Sequence, residues 1–175
     1  MSDNVLQEIP KIFTKKLRSE IISNGRGKSE DEKFQKDYLE KHLGVQIKKK
    51  KDIRVNIDSG EIKIVKSSMQ ELDPSVWSED FDGVFTKNGK ECVVSFKMIP
   101  ENGGSQNRSI KEVYWHIKAC IKSVSLDNKI KVDKFLFILD GELLSKHWQR
   151  MNDLIPQELK EKFYIGPLKE ATANV

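Results

Sequence analysis

Hydrophobic positions change period twice along the chain. Ile12, Phe13, Leu17 and Ile21 fall at helical spacing behind Pro10, predicting a short amphipathic helix over 11–22 that Asn24-Gly25-Arg26-Gly27 breaks. A second helix is expected over 29–43. Ser29 and Glu32 form a capping box, Phe34, Tyr38, Leu39 and Leu43 give the apolar stripe, and Gly44 ends it. From Val45 to Lys66 the period drops to two, and VQI, IRVNI and EIKIV read as strands broken at the lysine run and at Asp58-Ser59-Gly60.

The sharpest local signal is FDGVFTKNGKECVVSFKMI. It holds two alternating runs joined by Asn88-Gly89, the dipeptide favoured by a type I′ hairpin turn. PENGGSQNR reads as a loop. Ser109 then opens a helix with Ile110, Val113, Ile117, Cys120, Ile121 and Val124 on one face. KFLFILDGE is a continuous apolar run of the kind covered on both faces, LLSKHWQRMNDLI is helical up to Pro156, KFYIG adds a last strand, and KEATANV is expected to fray. The element order is helix, several strands, helix, strand, helix, strand, with no internal repeat and no low-complexity segment.

A length of 175 residues, 37% hydrophobic and 33% charged, suits one domain around a single core rather than two. Net charge is only +4, so charge distribution matters more than its sum. Cys92 and Cys120 form no CxxC, and His42, His116 and His147 are too scattered for a zinc cluster, so both thiols are expected to be buried hydrophobes. The N-terminal segment lacks the pattern of a signal peptide, and no run approaches the roughly 18 apolar residues of a membrane span, which predicts an intracellular, cytoplasmic protein without a membrane partner.

The chemistry concentrates in the hairpin. Asp80 and Asp82 share a face of its first strand and Ser95 and Lys97 a face of its second, while Cys92, Val94, Phe96 and Met98 take the core face. Antiparallel pairing across Asn88-Gly89 returns the end of the second strand to the start of the first, so Asp82 is expected beside Ser95 to Lys97. Glu91 sits at the turn, too far from Lys97 to join them. A carboxylate and a lysine so placed supply what phosphodiester hydrolysis needs: a hold on a hard cation and a charge beside the reacting oxygens.

EDFDGVF followed by VVSFK resembles the PD-(D/E)XK nucleases, which include many type II restriction endonucleases and carry an Asp on one strand and acid-x-Lys on the next. The resemblance spans about residues 29–140. It implies an α/β (α+β) fold with a restriction-endonuclease-like αβββαβ core, a central mixed sheet flanked by helices. On that reading the chain is a single nuclease domain over 1–175, with an N-terminal helix and linker at 1–28, the catalytic core at 29–140 and a C-terminal helix and strand at 141–175.

Ser95 stands where the family has its second acid. Some enzymes of this pattern recruit a carboxylate from the following helix, and Glu112 follows Lys97 after fourteen intervening residues. The implied roles are Asp82 and Glu112 as magnesium ligands, the Phe96 carbonyl as a backbone ligand, Lys97 as the group that positions or activates water, and Glu32 as a further carboxylate from the 29–43 helix. Manganese substitutes for magnesium in this expectation. Asp80 stays open as the alternative to Asp82, and a second capping box (Ser109 to Glu112) competes for Glu112.

Gln106, Arg108 and Lys111 are candidates for phosphate or base contacts, and Lys48 to Lys51 read as a solvated face. Trp115 falls opposite the apolar stripe of its helix, where packing against the N-terminal helix is the simplest expectation and a dimer contact or nucleic acid the alternatives, and His116 reads as a helix-flank residue. The implied activity is a magnesium-dependent endonuclease acting on double-stranded DNA as a homodimer, most simply a type II restriction endonuclease. A repair or junction-resolving nuclease and a catalytically silent DNA-binding module are the alternatives.

Overall fold

The Asn88-Gly89 turn organises the main sheet. Both residues have positive φ, 52° and 74°, as a type I′ turn requires, and they join β3 (Gly83–Lys87) to β4 (Lys90–Met98) with Gly83 opposite Val94 and Lys87 opposite Lys90. The computed structural model describes residues 27–49, 52–65, 73, 75–99 and 106–175. The helix expected over 11–22, Lys50, Lys51 and the 100–105 loop lie outside them.

The remaining elements are α1 (Gly27–Leu43), β1 (Ile53–Val55), β2 (Ile62–Ile64), α2 (Gln106–Val124), β5 (Lys134–Asp140), α3 (Glu142–Ser145), α4 (Trp148–Asp153), a 3₁₀ turn (Gln157–Lys162), β6 (Phe163–Gly166) and α5 (Leu168–Asn174). The four-stranded sheet has the order β3-β4-β5-β6. Its first pair is antiparallel and the other two are parallel, so this is a mixed sheet.

Period-2 alternation divides the side chains of this sheet between two apolar layers. Phe85, Val94, Phe96, Leu136 and Ile138 pack with Tyr38 and Leu39 of α1 and with Leu168 and Ala171 of α5. Val93, Phe135 and Phe137 point the other way, against Ile110, Val113 and Ile117 of α2 and Val55 of β1. β5 is covered on both faces, which is why FLFIL shows no alternation: all five residues are buried. Each such side chain contributes about 1.5–3 kcal/mol of transfer free energy. Cys92 and Cys120 are buried free thiols.

Several expectations need correction. VQI is not a strand; it leads into a single antiparallel bridge in which Lys48 and Val84 exchange both backbone hydrogen bonds at 2.9 Å. β1 and β2 pair only with each other, forming a separate antiparallel ribbon. The helix before Pro156 is split into α3 and α4. KEATANV belongs to α5, whose Leu168 and Ala171 insert into the core, so docking on the sheet overrides the polar composition of the segment.

α1 begins by Gly27 and α2 by Gln106, so Ser29 and Ser109 lie inside first turns rather than at N-caps. Gly141, at φ 103°, reverses the chain after β5 so closely that a Cβ there would lie 2.1 Å from the Ile99 carbonyl oxygen.

Candidate active site

Lys97 and Ser95 occupy the sheet face that α2 covers, because Val94 and Phe96 between them take the α1 face. Ser95 is buried, with 3% of its surface exposed. Asp82 immediately precedes β3. Its backbone N–H donates to the Val94 carbonyl at 2.9 Å, and its carboxylate Oδ2 accepts from the Phe96 N–H at 2.6 Å. The side chain thus continues the ladder one step past the last backbone pair and is fixed beside the Ser95-Phe96-Lys97 segment. An extended residue directs its N–H and C=O to the same side, so the Phe96 carbonyl also points toward the Asp82 edge.

Asp82 and Asp80 stand on the approach to β3 rather than within it, and they differ in partner. Asp80 pairs with Lys49 at 3.5 Å. Burial pushes the Asp82 carboxyl above its ordinary range, with the Phe96 N–H and the Lys97 charge offsetting only part of that. Of the two, Asp82 is the one locked to the lysine strand.

Sequence reasoning missed Glu79. Its Oε2 lies 2.5 Å from Lys97 Nζ, and the Lys97 side chain is 15% exposed. Burial works against the ammonium, yet Glu79 at hydrogen-bond distance and the charges of Asp82 and Glu32 outweigh it and hold Lys97 above its ordinary value. Burial likewise opposes the Glu79 carboxylate, but Lys97, a hydrogen bond with Glu112 and the His116 field bring it below its usual range. The available signal was the acid triplet pattern Glu79-Asp80-x-Asp82. Glu79 precedes the strand, where alternation gives a side chain no direction.

Glu112 therefore reaches the cluster from α2. It also accepts from Arg108 Nε at 3.0 Å, one helical turn away. With Ser109 inside the helix, the capping-box explanation for Glu112 falls. Glu32 acts on Lys97 through its charge from α1, and Gln35, fully buried on the same helix, donates from Nε2 to Asp140 Oδ2 at 2.7 Å and more weakly to the Lys97 carbonyl at 3.4 Å. Asp140 also accepts from the Leu168 N–H at 3.2 Å, so one partly buried carboxylate ties α1, β5 and α5 together behind the site.

Gln106 and Arg108 are not loop residues: like Lys111, they belong to α2. Arg108 and Lys111, with Glu79, Glu112, Trp77 and Trp115, line a cleft of about 660 Å³ beside Lys97. His116 lies at its inner wall. It is not a flanking residue, being 3% exposed and packed at 4.6 Å against Phe81 and 5.2 Å against Phe137. Burial lowers its pKa to about 4, so the ring is neutral at pH 7, and its Nε2 has no hydrogen-bond partner among the described residues.

Among the described residues no three His, Cys, Asp or Glu groups are gathered closely enough to hold an ion ready-made. Magnesium keeps several waters and needs only one or two carboxylates. Asp82, Glu79 and Glu112 are oxygen donors of the kind such an ion takes, but the three are not gathered into a ready-made site. No helix among the described residues is long and apolar enough to cross a membrane. No protein-family model, curated protein or solved structure matches this chain.

Proposed function

We propose that this protein is a metal-dependent phosphodiesterase of the PD-(D/E)XK type that cuts DNA. The observation that carries the reading is Asp82 anchored at 2.6 Å to the Phe96 N–H while the next residue, Lys97, faces Glu79 at 2.5 Å with Glu112 behind it. The acid missing at Ser95 is supplied from other elements, by Glu112 from α2 and by Glu79 from the segment before β3.

In this proposal Asp82, Glu112 and the Phe96 carbonyl hold magnesium or manganese, with Glu79 and Glu32 adding to the acidic surround. The ion, when bound, lowers the pKa of a coordinated water and neutralises phosphoryl charge. Lys97 stays protonated, so it serves as a fixed cation that orients the attacking water and offsets charge on the phosphoryl oxygens, rather than as a base. Arg108 and Lys111, exposed on α2, meet backbone phosphates, and Gln106 belongs to the same helix.

Duplex DNA is the proposed substrate, cut at a short specific sequence by a homodimer in which each subunit cleaves one strand, as in the type II restriction endonucleases. Incubation of plasmid and phage DNA with the protein, in magnesium or in chelator, tests this. Discrete magnesium-dependent fragments support a restriction enzyme, whereas selective cutting of branched or damaged DNA points to a repair or junction-resolving role. DNA binding without cleavage in magnesium or manganese establishes a silent DNA-binding module, the reading favoured by the buried serine in place of the acid.

A further inference from the structure

The cleft on the α2 side is wider than a phosphate needs and carries an indole, Trp115, in its lining. Its volume, about 660 Å³, lies within the range of small-ligand sites, roughly 300–1,000 Å³. Trp115 stands on its wall with 52% of its surface exposed, although a large aromatic on an otherwise charged helix face gains nothing from water. Arg108 and Lys111, two cations for a backbone, flank it on the same helix. Glu79 and Glu112 belong both to this cleft and to the Lys97 cluster, so whatever fills the cleft abuts the reacting phosphate.

A second observation is independent of Trp115. His116 lines the cleft, is 97% buried by its 3% exposure, and leaves Nε2 without a hydrogen-bond partner among the described residues. Buried polar atoms are nearly always paired, so this orphan nitrogen, itself sealed from solvent in a residue that lines the cleft, is an unmet polar site within the cleft wall.

We infer that the cleft takes one unstacked DNA base, stacked on Trp115, from the nucleotide next to the cleaved phosphate. This deepens the nuclease reading and rests on it for the identity of the polymer. A base inside a duplex cannot enter such a cleft, so the strand arrives single-stranded or the base is turned out of the helix. The stacking contact itself is blind to which base it holds, since every base offers a face to an indole, so the choice of sequence rests on other contacts.

The test is binding in chelator, which separates stacking from cleavage. A short single-stranded DNA carrying 2-aminopurine and the same sequence as a duplex are titrated with the full chain, its Trp115→Ala variant and its Trp115→Phe variant. Expected are binding of the single strand with quenching of 2-aminopurine by the wild type, a loss of about tenfold or more in affinity for it together with the quench in Trp115→Ala, and retention of most of both in Trp115→Phe. Trp115 is half exposed, so its replacement leaves the core intact.

Wild-type affinity and quench in Trp115→Ala overturn the stacking site, and if the wild type still cuts DNA in magnesium the nuclease reading stands without it. Affinity and quench lost in Trp115→Ala, in a protein that cuts no DNA, support the base site and overturn the nuclease reading instead.

Discussion

Asp82 and His116 are both buried away from their ordinary ionisation, with opposite consequences for stability. Asp82 has its folded pKa raised, so its contribution to stability is present below the unfolded value and lost as pH rises through the folded one. At neutral pH its charge is a cost borne for the site. Asp82→Asn, whose carbonyl can still accept from the Phe96 N–H, is therefore expected to melt no lower than wild type at pH 7.5 while losing about 100-fold or more of the cleavage rate; calorimetry and a cleavage assay check the two halves. His116 is the reverse case. Its folded pKa, about 4, lies below the unfolded 6.5, so its stability is complete above pH 6.5 and lost as pH falls toward 4. The difference is worth about 3 kcal/mol. Urea unfolding at pH 7 and pH 5 is expected to show the loss, and a His116→Asn variant a flatter dependence.

The elements that position the site were largely readable, and the reasons separate cleanly. Asn88-Gly89 signals its own geometry because positive φ at both positions is a local matter, and from it the pairing of Asp82 with the lysine strand follows by register. Glu112 was also reachable, being on the only helix that follows Lys97 at the right separation. Glu79 was not, because the chain before β3 is irregular and only the folded geometry brings its carboxyl to Lys97. The burial of His116 against Phe81 was hidden for the same reason: its partner comes from that irregular segment. α5 was misread because polar composition predicts fraying, whereas Leu168 and Ala171 find a sheet to dock on. The turn after β5 offers a check at this scale. A Cβ at Gly141 would meet the Ile99 backbone and φ there is 103°, so Gly141→Ala is expected to cost about 2 kcal/mol or more, read from denaturant unfolding.

At the scale of the whole molecule, a mixed sheet sandwiched between α1 and α5 on one side and α2 with the β1-β2 ribbon on the other leaves one edge where acids, lysine and cleft converge. β4 runs through the middle of this arrangement. Its even-numbered residues from Cys92 to Phe96 hold the α1 layer, and Lys97 at its far end is held up by Glu79 and Asp82 under α2. Core and chemistry thus share one strand, which explains how a site of buried charges is kept in place by a sheet that is otherwise apolar. The most direct measurement of the central claim is the single-turnover rate of DNA cleavage in magnesium for wild type, Asp82→Ala and Lys97→Ala, with folding of each verified by circular dichroism. Metal-dependent cleavage by the wild type that falls about 100-fold or more in both variants is the predicted result; cleavage that survives in the Lys97→Ala variant, or a wild type inert in both magnesium and manganese, would contradict it.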